Sequence, residues 1–386
     1  MAPSTSFPTG VSEYTGQAPH ITKPTELGHF SLSRQPGNPM VRRYHPDQRA
    51  LLTLHRRGPD LVTERLDIDL TQGMDAFIDR GQAQKDAEHL YPILRWILEN
   101  KRTFAQYRSK VNVICWRGRL TDLLVTPYNR KDTWTLVACN IDDIIYLSYV
   151  NESDKESKMD STLEATVEKV PSLEDKRQTS RMYWGFKFEQ VMTSPPGDET
   201  SLQKSVSNFE SFQSVLYTKV GGYRGTGVLF GAEMDCLDPK KVPTKPPDCY
   251  VELKTCKGIE DESGMRSFCY HKLMQYWAQS FVCGVPTILV GFRLDNGHVL
   301  STDELPMSKV PLIAQANGDA WKPAVCQNFL NSFLQFVTVL VTESHEQTIY
   351  KLKLDVSQQR VVVTREEATA QNQFVPTWYL DQRPGY

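Results

Sequence analysis

Strand-like and helix-like segments are interspersed along one continuous chain without an internal repeat, and this pattern predicts a mixed α/β (α+β) fold. Three observations carry the prediction. The runs KVNVICWRGRLTDLLVTPY and DTWTLVACNIDDIIYLSYV are β-branched and aromatic, with turn residues between them at Asn129–Asp132, and read as strands. Two segments, 82–100 and about 319–343, read as helices, the first by the spacing of Leu90, Ile93, Leu94, Ile97 and Leu98. The apolar run PTILVGFRL has the length and branching of a buried strand.

The remaining elements follow in order. Residues 1–40, rich in Pro, Ser, Gly and Thr, are expected to form an extended, partly ordered arm, and residues 41–386 a single domain. The charged stretch at about 151–180 reads as a solvated insertion. MYWGFKFEQV (Met182–Val191) reads as a strand, with Phe186 and Phe188 on one face and Gly185, Lys187 and Glu189 on the other. A loop over 192–208 and a short helix near Phe209–Tyr217 are expected next. FGAEMDCLDPKKVPTKPPDCYVELKTCKG then supplies two strands, MRSFCYHKLMQYWAQSFVCG a helix, and TIYKLKLDV with RVVVTRE a terminal hairpin before a tail containing Trp378.

Composition excludes several classes. A net charge of -2 across 386 residues gives no global attraction to nucleic acid, so any phosphate-binding surface is a local patch. The N-terminus lacks the basic start and apolar run of a secretory signal, and Phe281–Phe292, interrupted by Gly284 and Pro286, is too short to cross a membrane. A soluble intracellular protein is expected. The eight cysteines form no CxxC pair and are expected to be reduced core residues rather than zinc ligands. No G-x-S-x-G, P-loop or dinucleotide fingerprint occurs, and GGYRGTG lacks the Lys-Ser/Thr ending.

One constellation stands out. Glu233 and Asp235 lie two apart, as do Glu252 and Lys254, and in a strand such residues share a face. Pro239, Pro243, Pro246 and Pro247 turn the chain between them. If the two strands are neighbours, three carboxylates and one ammonium converge. Carboxylates that close cannot all stay ionised without a counter-charge, and a hard divalent cation such as Mg2+ or Mn2+ is the natural one. Charged pairs at this spacing also decorate solvent-facing strands, but an acid followed some fifteen residues later by (D/E)-x-K is the pattern of metal-dependent nucleases. Lys272, Gln275 and Gln279 form a polar helical stripe, while Arg117 and Arg119 could meet phosphates or serve as structural ion-pair partners, as could Arg293.

As a set, WRG, GFKFE, GAEMD, VELKT, HKLMQYWAQSF and VGFR resemble the signature blocks of the DXO/Rai family of RNA 5′-end decapping nucleases, from about Trp116 to Arg293. The resemblance implies a nuclease-like core of two mixed or antiparallel sheets flanked by helices, with a PD-(D/E)XK-like active site between them. It implies Glu189, Glu233, Asp235 and Glu252, with the Leu253 carbonyl, as ligands of Mg2+ or Mn2+, expected as two ions. It places Lys254 and Gln279 near the attacking water and scissile phosphate, and Arg117, with Arg293, on substrate phosphate. The implied activity is hydrolysis at single-stranded RNA 5′ ends: unmethylated caps, triphosphates as pyrophosphate, NAD caps, and 5′–3′ exonucleolysis.

The sequence looks like the fungal branch that partners the nuclear 5′–3′ exoribonuclease, which implies a nuclear location, with the cytoplasm as the alternative. A non-catalytic adaptor that stabilises that exoribonuclease is the competing reading, and the loop MTSPPGDETS offers such a partner no aromatic anchor. A nuclease acting on DNA is a third reading, disfavoured by the neutral charge and the lack of DNA-binding motifs. No membrane association is expected.

Overall fold

The β-branched runs pair into two sheets. The computed structural model describes residues 5–37, 42–55, 68–81, 88–150, 173–195, 197–243, 245–318 and 320–384. Fifteen strands are present among them: β1 Thr5–Pro8, β2 Thr25–Arg34, β3 Arg42–His45, β4 Ile68–Asp69, β5 Val113–Trp116, β6 Thr135–Ile141, β7 Ile144–Tyr149, β8 Ser211–Val220, β9 Thr226–Glu233, β10 Cys236–Leu237, β11 Tyr250–Lys257, β12 Thr287–Arg293, β13 His298–Pro306, β14 Thr348–Asp355 and β15 Arg360–Glu367. The principal helices are α1 Tyr91–Glu99, α2 Arg117–Val125, α3 Leu173–Thr193, α4 Met274–Cys283 and α5 Pro323–Leu340.

Ten strands form one sheet, in the order β1-β15-β14-β6-β7-β5-β9-β8-β2-β3, and five form the other, β10-β11-β12-β13-β4. Most pairs are antiparallel; β5 runs parallel to β7 and β9, and β11 parallel to β12. Strand alternation sorts side chains between three apolar cores. Tyr250, Cys256, Ile288 and Val290 enter the core that also holds α2, α4 and α5. Val251, Leu253 and Leu289, one residue out of phase, pack with Tyr183, Phe188 and Met192 of α3. The opposite face of the larger sheet is covered by α1 through Ile93, Leu94 and Ile97.

The structure departs from the sequence reading at five places. Met182–Val191 is not a strand but the second half of α3, and its buried residues Tyr183, Trp184, Phe188, Val191 and Met192 recur at helical spacing. The alternation of Phe186 and Phe188 imitates a strand only over a short window. Arg117–Val125, read as strand, is a helix that buries Leu120, Leu123 and Leu124 at i, i+3 and i+4. The segment near Phe209–Tyr217, read as helix, is β8, whose Leu216 and Val215 face opposite cores.

Residues 5–34, read as an arm, contribute β1 and β2, which pair with β15 and β8 and bury Phe30 and Leu32. Backbone pairing to a neighbouring strand needs no apolar periodicity, which is why composition misled there. Finally, the two motif strands are not neighbours in one sheet: β9 ends the larger-sheet segment at Glu233, and the chain crosses to pair β10 with β11 in the smaller one.

Other readings hold. The hairpin of β14 and β15, the strand β12 and the long helix α5 all appear, α5 opening with Pro323 in its first turn. All eight cysteines are buried and free. Of the helix read over 82–100, residues 82–87 lie outside the described residues, as do 151–172 of the charged insertion, whose last part begins α3. Among the described residues no helix is long and apolar enough to cross a membrane.

Candidate active site

The site forms where the two sheets meet. β9 brings Glu233 to the end of the larger sheet, Asp235 sits on the crossing, and β11 carries Glu252 and Lys254 in the smaller sheet. α3 lays Glu189 beside them. Its approach depends on Gly291 of β12, where an added Cβ would stand 2.6 Å from Phe188 Cε2. Gly231 plays the same part on β9, where a Cβ would lie 2.5 Å from Trp116 Cζ3. That indole leads directly into Arg117, the first residue of α2.

Glu252 is the anchor. It is 1% exposed, and its Oε1 accepts hydrogen bonds from Lys254 Nζ at 2.7 Å and Arg117 Nη1 at 3.2 Å. Burial works against its charge, but Lys254 and Arg117 outweigh it and hold the carboxyl below its ordinary range. An arginine at a helix N-terminus opposes the helix dipole, and Glu252 supplies the compensation.

Asp235 and Glu189 are shifted the other way. Asp235 Oδ2 accepts the Leu253 N–H at 2.6 Å and lies 3.9 Å from Lys254 Nζ. Burial first, then the Glu252 charge, still push its pKa up to about 7. Glu189 is raised well above the ordinary carboxylate range by burial and by Asp235 and Glu233. Burial is the largest cause at both, and Glu233 and Glu252 add to it in each case.

Among the described residues, no group of three or more His, Cys, Asp or Glu side chains is already arranged to hold a metal ion. The reason is visible in the contacts: Glu252 is turned onto its two cations and Asp235 onto a backbone amide. The donor set itself is hard oxygen, its charge is under-compensated, and Gln279 on α4 adds a buried Oε1 without a hydrogen-bond partner. These features fit a divalent cation better than any neutral ligand.

Beside this cluster opens a cleft of about 900 Å³. Arg117, Glu233, Gln279 and the stripe residues Lys272 and Gln275 line it, whereas Glu189, Asp235, Glu252 and Lys254 lie behind its wall, joined to it through the Arg117–Glu252 pair. Arg119 reaches the cleft too, paired with Asp122 at 3.2 Å.

Arg293 is not brought to the cluster. It is buried at the end of β12, 4.4 Å over the Trp184 ring, in a separate hollow. Sequence reasoning missed a trio that also lines the cleft, where Glu88 Oε2 receives Arg42 at 2.9 Å and Arg80 at 2.7 Å. These residues come from loops and an edge strand, and no local spacing links them.

The chain matches the family model described as RAI1 like PD-(D/E)XK nuclease over residues 22–380. It is 34% identical over 384 residues to the decapping and exoribonuclease protein of Bos taurus, covering 98% of this chain and 90% of that one. It is 27% identical to the decapping nuclease RAI1 of Neurospora crassa, covering 97% and 85%. Its fold is similar to that of Candida albicans Rai1, solved in complex with pU5-Mn2+, with a TM-score of 0.77 at 22% identity across 98% of this chain and 99% of the other. The acid and lysine seam between two sheets and a match spanning nearly the whole sequence agree, and the chain belongs to the RAI1-like PD-(D/E)XK nuclease family.

Proposed function

We propose that this chain is a divalent-metal-dependent hydrolase of single-stranded RNA 5′ ends. It removes incomplete or unmethylated caps, releases pyrophosphate from 5′-triphosphate RNA, and extends to NAD caps and 5′–3′ exonucleolysis. The observation that carries this reading is the convergence of Glu189, Glu233, Asp235 and Glu252 around Lys254, two of the acids being raised first by burial and then by neighbouring acids. Relatives named for decapping, and the similar Rai1 solved with an oligonucleotide and manganese, support the choice of substrate and cation.

Glu189, Glu233, Asp235 and Glu252, with the Leu253 carbonyl, would hold Mg2+ or Mn2+, expected as two ions. When bound, such ions neutralise charge on the scissile phosphate and make water a better nucleophile. Burial opposes the Lys254 charge, yet Glu252 and Asp235 more than offset this and keep it protonated. Lys254 therefore acts as a fixed cation toward phosphate and not as a proton acceptor. Arg117, likewise held charged by Glu252 against its burial, presents the same sign on the cleft side. Gln279 offers its unpartnered oxygen to orient a water or a ribose hydroxyl.

The test measures 5′ product from RNAs bearing a triphosphate, an unmethylated cap, a methylated cap or an NAD cap, with Mn2+ or Mg2+, for wild type and Asp235→Asn. Product from wild type alone is expected, and equal turnover by both would sink the site. Absence of product from both would favour the adaptor reading, in which the chain binds a nuclear 5′–3′ exoribonuclease. Co-purification with that enzyme tests the partner, and fractionation of nuclei from cytoplasm tests the location.

A further inference from the structure

The run GGYRGTG (Gly221–Gly227) has no part in the acidic seam, yet its glycines build a particular turn. Gly221 takes the chain out of β8 at φ 99°, a left-handed conformation that favours glycine. At the head of β9, a Cβ on Gly227 would stand 1.8 Å from the Lys110 carbonyl oxygen, so only glycine admits that segment. Asn112 closes the approach: it donates its N–H to the Gly227 carbonyl and accepts the Gly227 N–H through Oδ1, both at 2.8 Å. Tyr223, at the tip of the turn, is 94% exposed.

A lone exposed ring is ordinary on a protein surface. This one has company. Lys219 Nζ donates to the Tyr223 carbonyl and stands 5.6 Å over its ring, on one face only. Two residues back along the same face of β8, Tyr217 packs at 5.1 Å against Tyr107, and the Lys110 ammonium lies 4.9 Å over the Tyr107 ring. Arg224 is exposed beside Tyr223. Three tyrosines and three cations are interleaved, with no acid among these six.

Rings that offer a face, set among cations, suit single-stranded nucleic acid: bases stack without regard to sequence, and the backbone meets the positive charge. The patch also shares a sheet face with the cleft. Gln213 lines the cleft, Val215 joins the core covered by α1, and Tyr217 and Lys219 follow on the same side of β8. At about 3.3 Å per residue, Gln213 and Tyr217 are about 13 Å apart.

Resting on the hydrolase reading above, we infer that this patch is a second contact for single-stranded RNA, made to bases of the strand beyond the cleft by stacking on Tyr223. A short oligonucleotide held in the cleft does not reach Tyr223, and a long one does. The acidic seam performs the chemistry, while the patch holds long substrates by their bases.

The test uses the full chain carrying Asp235→Asn, so that RNA is not consumed. Its probes are 3′-fluorescein oligouridylates of 3 and 24 nucleotides and a 24-mer of the same backbone without bases. Fluorescence anisotropy across a salt series should rank the oligouridylate 24-mer tightest. Tyr223→Ala, which removes an exposed ring, should leave Tm unchanged and weaken that 24-mer at least about fivefold, the worth of one stacked base. The trimer and the abasic strand should not respond. Tyr223→Phe keeps the ring and should bind as the parent does. Lys110→Gln with Arg224→Gln should reduce the salt slope for the 24-mer by about 0.7 per lost phosphate contact, about 1.4 for two.

A folded Tyr223→Ala that binds the 24-mer as the parent does overturns the assignment. So does polyglutamate that displaces the 24-mer from the parent and binds more weakly to Tyr223→Ala, which would make the patch a dock for an acidic protein segment. Because binding is read without turnover, the two readings fail separately. Ring-dependent binding with no 5′ product from the wild type sinks the hydrolase and leaves the patch, and product without ring dependence does the reverse.

Discussion

The two halves of the acid cluster differ in how their charge is settled. Glu252, between Arg117 and Lys254, has its carboxyl held low and its hydrogen bonds made. Asp235 and Glu189, a few residues or one helix away, are held high, and Gln279 nearby keeps an unmatched oxygen. The settled half is architecture: it ties α2 of the larger sheet to β11 of the smaller. The unsettled half is where the proposed cation would bind. On the proposed reading, one motif, E-x-K, serves folding through Glu252 and chemistry through its neighbours.

Asp235→Asn gives the largest expected effect on activity. It should lower kcat at least about 10³-fold, about 4 kcal/mol, while leaving the fold neutral to about 1 kcal/mol more stable, because the Leu253 amide keeps its acceptor and a disfavoured charge is removed. Urea unfolding beside product release separates the two quantities. A variant that is both inactive and clearly destabilised would place Asp235 in the settled half.

Glu252→Gln should reverse that pattern. Replacing the anion that faces two partly buried cations with a neutral amide is expected to cost about 3 kcal/mol of stability, in addition to activity. If the fold is unaffected, the distinction between the halves fails.

Acid titration divides them next. Asp235 has a folded pKa of about 7 against an ordinary 3.8, so the folded state binds the proton more tightly. Without divalent cations its contribution to stability is present below about pH 4 and is lost as pH rises toward 7. Glu252 has the opposite sign: its contribution is present above the ordinary 4.5 and is lost as pH falls through its lowered folded value. Tm measured in chelator from pH 4 to 8 should therefore decline less steeply in Asp235→Asn than in wild type. The gain in Tm from added Mn2+ should grow across the same rise, since the proton on Asp235 competes with the cation.

Legibility followed range along the chain. E-x-D and E-x-K were readable because each pair sits within one local segment, and Gln275 and Gln279 were readable because they lie four apart on α4, Lys272 belonging to the π-helical turn before it. The crossing from β9 to β10, which sets Glu233 and Glu252 in different sheets, had no local signal, since either pairing satisfies the same residues. Glu189 was recognised in GFKFE although its element was misread, because two phenylalanines two apart occur in helices as readily as in strands. Arg42, Arg80 and Glu88 meet only through tertiary structure, and their pairing could not be read from spacing.

Gln279→Leu is the smallest perturbation and the sharpest test of the unsettled half. A buried oxygen without a donor carries a desolvation penalty that a leucine of similar size does not, so the substitution is expected to be neutral or to stabilise the cation-free fold by up to about 1 kcal/mol. Turnover should fall about tenfold, because one oriented hydrogen bond to water or substrate is lost. The two readings pull apart cleanly. A structural glutamine would lose stability and activity together, and its activity would recover in conditions that restore folding. A site glutamine loses activity while Tm holds or rises, and Gln279→Glu should then recover part of the turnover as pH rises, because the carboxylate restores an acceptor where the amide oxygen stood. If Gln279→Leu instead destabilises the fold by more than about 1 kcal/mol, its oxygen already has a partner in the folded chain, and the unsettled half shrinks to Asp235 and Glu189.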